Sequence, residues 1–101
     1  MSAELTLESM RPWVGERFAV APTQGEPFEA VLSECEPTPY GDPARPAAER
    51  TPFSLLFHAP VGALVPQQIC VFRHEGAGEL ALFVVPLGPD ERGMRYEAVI
   101  A

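Results

Sequence analysis

The chain contains no lysine. Its seven basic residues, Arg11, Arg17, Arg45, Arg50, Arg73, Arg92 and Arg95, are all arginines, and they are scattered from one end of the sequence to the other. Against fourteen acidic residues they leave a net charge of −7. Binding to nucleic acid or to an anionic membrane surface needs clustered cations to neutralise phosphates, so this balance excludes both classes. Long hydrophobic runs are missing too: no stretch approaches the roughly 20 apolar residues of a membrane span. The opening MSAELTLESMRPW has neither the basic start nor the apolar centre of a signal peptide. The expectation is a cytoplasmic protein, with a place in an exported or extracellular assembly left open.

Residues that do chemistry are scarce and badly spaced for it. There are two cysteines, Cys35 and Cys70, with no CxxC pairing. They read as reduced, buried small hydrophobes, and a disulfide between them requires neighbouring strands. A zinc site is excluded by ligand number and spacing. His58 and His74 each close an apolar run, in no HxH, HxxxH or HExxH arrangement, and are expected at the surface. The serines Ser2, Ser9, Ser33 and Ser54 sit in no GxSxG or SxxK context. Gly76-Ala77-Gly78 belongs to a hairpin turn, not to a phosphate cradle. Glu34, Glu36 and Asp42 match no calcium loop. The sequence therefore predicts no enzyme, no cofactor and no metal.

What is present is a globular composition, 47% apolar and 21% charged, in 101 residues, enough for a single domain over 1–101. Leu7, Met10 and Val14 recur at helical spacing, so Leu5–Val14 reads as a short helix, kept short by Pro12 and ended by Gly15. After Gly15 the period becomes two. Residues 17–21 and 28–35 form an antiparallel hairpin about Gln24-Gly25. Phe53–His58 is apolar on both faces. Ile69–His74 and Glu79–Val85 are joined by Glu75-Gly76-Ala77-Gly78, the clearest hairpin signal in the chain. Met94, Tyr96, Ala98 and Ile100 alternate with Arg95, Glu97 and Val99 in a closing strand.

The predicted fold is all-β and mainly antiparallel, a small six-stranded barrel or sandwich with one short N-terminal helix. Strands apolar on both faces need cover on both, from the helix or from another subunit. Two connections stand out. Residues 36–52 hold Pro37, Pro39, Pro43, Pro46 and Pro52 and read as an extended loop, the segment that most invites a partner. Asp90-Glu91-Arg92-Gly93 reads as a turn whose two carboxylates and arginine neutralise one another in solvent.

Phe53-Ser54-Leu55-Leu56-Phe57, Leu64-Val65-Pro66-Gln67, Gly78-Glu79-Leu80-Ala81-Leu82-Phe83-Val84-Val85-Pro86-Leu87-Gly88 and Gly93-Met94-Arg95-Tyr96-Glu97-Ala98-Val99 together resemble a small bacterial domain family of unknown function. The opening Leu5-Thr6-Leu7-Glu8 with Val14-Gly15 is similar to the start of its members, so the resemblance covers nearly the whole chain. It implies no activity. It implies an association with genes for phage-tail-collar-type fibre proteins, and hence an accessory, chaperone or structural role in such an assembly.

The expected function is accordingly a non-enzymatic protein-binding or assembly domain. It would bind by a strand edge or an apolar face, to a tail-collar-type fibre protein or to a second copy of itself. Tyr40, Arg45 and Arg50 on the proline-rich loop, with Tyr96, Val99 and Ile100 on the last strand, are the expected partner-binding residues. The alternative is a ligand-binding barrel or small enzyme with a pocket lined by Phe53, Phe57, Phe72 and Phe83, and with His58 or Glu97 as its polar group.

Overall fold

The computed structural model describes residues 5–38 and 52–100. It opens on a single helical turn, α1 (Leu7–Met10), started by a reciprocal cap. The Thr6 hydroxyl accepts from the Ser9 N–H at 3.0 Å, and the Ser9 hydroxyl accepts from the Thr6 N–H at 2.9 Å. Pro12 cannot donate to a continuing helix, and the chain tightens into a 3-10 turn over Arg11–Trp13. Gly15, at a φ of 94°, then turns it into the first strand.

Six strands follow: β1 (Arg17–Pro22), β2 (Phe28–Pro37), β3 (Phe53–Ala59), β4 (Gln68–His74), β5 (Gly78–Asp90) and β6 (Gly93–Ile100). All pairings are antiparallel and they close on themselves in the order β1-β2-β3-β6-β5-β4, with β4 returning to β1 through Ala19↔Arg73 and Pro22↔Cys70. The barrel alternative of the sequence reading is the one adopted. Closure gives every strand a neighbour on each side and leaves little open edge: the β1–β2 ladder covers Phe28–Val31 of β2, and the β5–β6 ladder reaches Glu97 of β6. The terminal strand β6 is held by β3 along Met94–Ile100 and by β5 as far as Glu97, which confines any open edge of β6 to its last residues.

Alternation sends one face of each strand inward. Phe18, Val20, Leu32, Phe53, Leu55, Phe57, Phe72, Val84 and Tyr96 fill the interior, each at most 1% exposed. Phe57 meets Phe72 at a centroid distance of 4.4 Å and Phe18 edge-on at 5.7 Å. The helical segment packs over one end, with Met10 buried and the Trp13 ring against His74 at 4.9 Å. At the other end Val65 is buried. The Tyr96 hydroxyl accepts from the Val65 N–H at 2.9 Å and donates to the Ala63 carbonyl, so that it fixes the 60–67 connection from inside the barrel.

Two boundaries differ from the sequence reading. Strand β2 continues through Pro37, two residues into the region expected to be loop; residues 39–51 of that loop, with Tyr40, Arg45 and Arg50, lie outside the described residues. Strand β5 does not stop at Val85 but runs through Pro86 and Pro89 to Asp90, leaving Glu91-Arg92 as a two-residue turn. An irregularity between Pro86 and Gly88 makes this compatible with prolines that cannot donate to the ladder. The cysteines, both buried and free, lie on β2 and β4 with β1 between them, so the neighbour condition for a disulfide is not met.

Candidate functional site

His58 lies on the outward face of β3, between the inward Phe57 and Ala59, yet it is only 7% exposed. Its cross-strand neighbours are Val31 on β2 and Arg95 on β6. Two polar side chains from distant parts of the chain close over it. Ser33 Oγ is 2.5 Å from Nδ1, and Asp90 Oδ2 is 2.9 Å from Nε2.

A strand irregularity delivers each partner. In β2 the register jumps from Leu32↔Phe57 to Glu34↔Leu56, which makes Ser33 the extra residue and places it beside the imidazole. In β5 it jumps from Pro86↔Tyr96 to Gly88↔Arg95, so that Leu87 is extra. Arg95 donates to the two carbonyls there, Gly88 O at 3.1 Å and Leu87 O at 3.2 Å, and holds the end of β5 over β6. Asp90 then accepts the Arg92 N–H at 2.8 Å through Oδ1 while Oδ2 faces His58. The turn is also pinned from below. Gly93 has a φ of 132°, and a Cβ there would stand 2.2 Å from the Ala59 carbonyl oxygen, a spacing only glycine permits.

The protons in this chain are ordered by chemistry. His58, chiefly through its hydrogen bond, holds the Asp90 carboxyl below the ordinary carboxylate range, so Asp90 is ionised and can only accept. Nε2 therefore carries hydrogen, and in the neutral imidazole Nδ1 is left to accept the Ser33 hydroxyl proton. The other acceptor near Ser33, the Val31 carbonyl, is 3.4 Å away, too long to compete. A carboxylate orients an imidazole, and the imidazole's other nitrogen is within hydrogen-bond reach of a hydroxyl. This is the proton pathway of general-base-assisted serine chemistry, with the two ring nitrogens exchanged relative to the commonest arrangement.

His74 is used differently. Its Nδ1 accepts from the Gly76 and Ala77 amides at 2.9 and 3.1 Å, and its Nε2 lies 3.1 Å from Glu16. It ties the β4–β5 turn to the entrance of β1, under the Trp13 and Phe18 rings. Among the described residues no group of three or more His, Cys, Asp or Glu side chains is arranged to hold a metal ion.

A second feature is apolar. Ile69 on β4, Phe83 on β5 and Val99 on β6 point outward and are each 54% exposed. Ile69 and Phe83 are direct cross-strand partners, and extending the Val85↔Glu97 register by two positions sets Val99 beside Phe83. Half-buried Val71, Val85 and Leu56 adjoin this row on the same outer face. Towards β2 the surface turns acidic: Glu97 opposes Leu56, Leu56 opposes Glu34, and Ser54 lies between Val99 and Glu36. No arginine among the described residues forms an ion pair with Glu34, Glu36 or Glu97.

The structure divides the residues expected to bind a partner. Val99 is on the outer apolar row and Ile100 is partly buried against the core beside Phe53, whereas Tyr96 points into the barrel, where its hydroxyl is spent on Val65 and Ala63. The proposed aromatic pocket is also divided: Phe53, Phe57 and Phe72 are interior and Phe83 is on the opposite face of the wall, so the four line no common space. His58, expected at the surface, is covered. Asp90, read as one of a self-neutralising turn pair, is bonded across the fold. Ser33 and Asp90 stand 25 and 32 positions from His58, beyond any local motif, and the two strand irregularities that join them leave no residue signature.

A family model described as a domain of unknown function, DUF6916, matches residues 5–100. Neither a curated protein nor a solved structure matches the chain.

Proposed function

Taking as premise that the chain belongs to the DUF6916 family, we propose that it is a protein-binding or assembly domain that acts through the outer wall of β4, β5 and β6. The observation that carries this reading is the outward row of Ile69, Phe83 and Val99, each 54% exposed on a barrel whose core is already filled by other side chains. Folding gains nothing from leaving three large apolar groups in water side by side, and such rows mark surfaces that another molecule covers. With most strand edges occupied by closure, a face-on contact is the mode this reading favours.

The charge around the row indicates what would cover it. Glu34, Glu36 and Glu97 border the apolar side chains, and the whole chain carries −7 without a lysine. A second copy brings like charge to like, whereas a partner with apolar anchors flanked by Arg or Lys is complementary. The tail-fibre-like setting is part of this proposal: the partner would be a collar-type fibre protein, with the domain serving as an accessory, chaperone or structural component in a bacterial, phage-tail-like assembly. It would be made in the cytoplasm, and the outer wall's work in that assembly would be binding rather than catalysis. Among the described residues no helix is long and apolar enough to cross a membrane.

Co-purification of the chain with a collar-type fibre protein, against an Ile69→Ser/Phe83→Ser variant, tests the reading. The variant should fold normally and lose at least about tenfold in affinity, since a truncated interface anchor costs more than about 1 kcal/mol. Equal capture by both forms would rule out the outer wall, and a stable homodimer lost in the variant would replace the heterologous partner with a second copy.

A further inference from the structure

We propose that Ser33, His58 and Asp90 form a nucleophilic serine site that accepts an acyl group from an activated ester of a short, uncharged carboxylic acid. The proposal stands on geometry that the outer-wall reading does not use, and it is independent of what covers that wall.

Three observations carry it. The hydroxyl, imidazole and carboxylate are in series, at 2.5 and 2.9 Å, and in the neutral ring that donates Nε2–H to Asp90, Nδ1 is the atom able to take the Ser33 proton. The middle member is shielded from water while the two ends are not: His58 is 7% exposed, Ser33 is half-buried, and the Asp90 side chain is 36% exposed. A purely structural clasp has no need of this gradient; a nucleophile that must meet a substrate does. Finally, Ser33 is the residue displaced by the β2 irregularity, a device found next to active sites because it re-aims one side chain out of the sheet's alternation.

The step balances as an acyl transfer. Ser33 Oγ attacks the ester carbonyl carbon as its proton moves to His58 Nδ1. The tetrahedral intermediate collapses by breaking the bond to the leaving oxygen, which departs as an alcohol with the proton returned from His58, or as a stabilised phenolate, in which case His58 gives its proton to solvent. Acyl-Ser33 remains, and water attacking through the same imidazole releases the carboxylic acid and restores the hydroxyl. Asp90 is a positioning residue: it holds the tautomer and offsets the charge that develops on His58. The substrate class follows from the surroundings. The exposed Glu34 follows Ser33 in β2 and the Asp90 carboxylate lies beyond the ring, so the local charge disfavours an anionic acyl group, and the outer wall of a barrel suits a short chain better than a long one. General-base assistance alone is worth roughly 10²–10⁴-fold, so an ester with a good leaving group is the appropriate probe.

The full chain incubated with p-nitrophenyl acetate should release nitrophenolate in a burst approaching one equivalent and gain one acetyl group on the peptide that contains Ser33. Ser9 and Ser54 in the same molecule serve as internal references, and Ser33 should acetylate at least about 10²-fold faster than either. Ser33→Ala should abolish the burst. Asp90→Asn should slow it by a similar factor while leaving the circular dichroism spectrum unchanged. Acetylation of Ser33 no faster than that of Ser9 and Ser54 would overturn the proposal whether or not any variant folds. A Ser33 rate unaltered in a folded Asp90→Asn protein would reduce the arrangement to a clasp.

Discussion

Asp90 and His58 are 32 positions apart in the chain and 2.9 Å apart in the barrel, and this contact joins the β5–β6 turn to the last residues of β3. The turn at Glu91-Arg92 is thus fastened at three points: to His58 through one Asp90 oxygen, to the Arg92 amide through the other, and to Ala59 through the close approach of Gly93. Whatever the outer surface does, it does so on a frame fixed there.

The Asp90–His58 contact should make stability acid-sensitive in a defined window. The carboxyl titrates below its ordinary value of 3.8 in the folded protein. A depressed carboxyl stabilises the fold above its unfolded value and ceases to do so as pH falls through the lower folded one. Urea midpoints measured from pH 6 downward, at steps of about 0.5, should therefore fall as pH drops below about 4, and Asp90→Asn should lose this component of the fall. A variant with the same acid limb as the natural chain would mean that the contact contributes nothing.

Tyr96→Phe should cost about 1–3 kcal/mol in urea unfolding, because it strands the buried Val65 N–H and the Ala63 carbonyl at once. The loss should be local as well as global: the Val65 amide should exchange with solvent faster relative to amides of β3. Burial raises the Tyr96 phenol above its usual 10.0, so its ionisation opposes the fold only on the alkaline side of that value.

The sequence was most legible where polar and apolar residues alternate. Met94–Ile100 reads correctly on both faces, and Gly76-Ala77-Gly78 marks the β4–β5 turn by composition alone. Legibility failed where both faces are apolar. Phe72 and Phe83 look alike in sequence, yet one is interior and the other half in water, because the choice of face depends on barrel closure through the β1–β4 pairing. It failed again at Pro86 and Pro89, which signal a break to any local rule and here lie within a strand that an irregularity allows to continue. The candidate site inherits both failures. Ser33 and Asp90 are aimed at His58 by departures from regular register, and a departure of one residue has no composition of its own.

Gly93→Ala should be among the most damaging single substitutions in the described part of the chain. It places a side chain at positive φ and drives a methyl group into the Ala59 carbonyl oxygen, a backbone atom that cannot step aside. Strain and overpacking each cost about 1–3 kcal/mol, so a loss of at least about 2 kcal/mol is expected. Gly62→Ala is the matched control, since a Cβ there meets nothing within 4 Å. Thermal melts of the two variants should separate clearly; similar midpoints would refute the account of the β5–β6 turn.

The two thiols should be silent until the barrel opens. Cys35 and Cys70 are buried and unpaired, and burial, the main influence on each, raises both above the ordinary thiol value of 9.0. For Cys35 the neighbouring Arg11 partly offsets this. Thiolate is the reacting species, so protection comes twice, from access and from protonation. Iodoacetamide at neutral pH should label neither residue in native buffer and both in denaturant. Labelling rates across a urea series should track the equilibrium population of the open barrel, with Cys35 and Cys70 in step because their strands belong to one closed sheet. If Cys35 is modified well ahead of Cys70, the α1 segment is lifting from β2 while the sheet stays closed, because Cys35 Sγ packs directly on the Leu7 carbonyl.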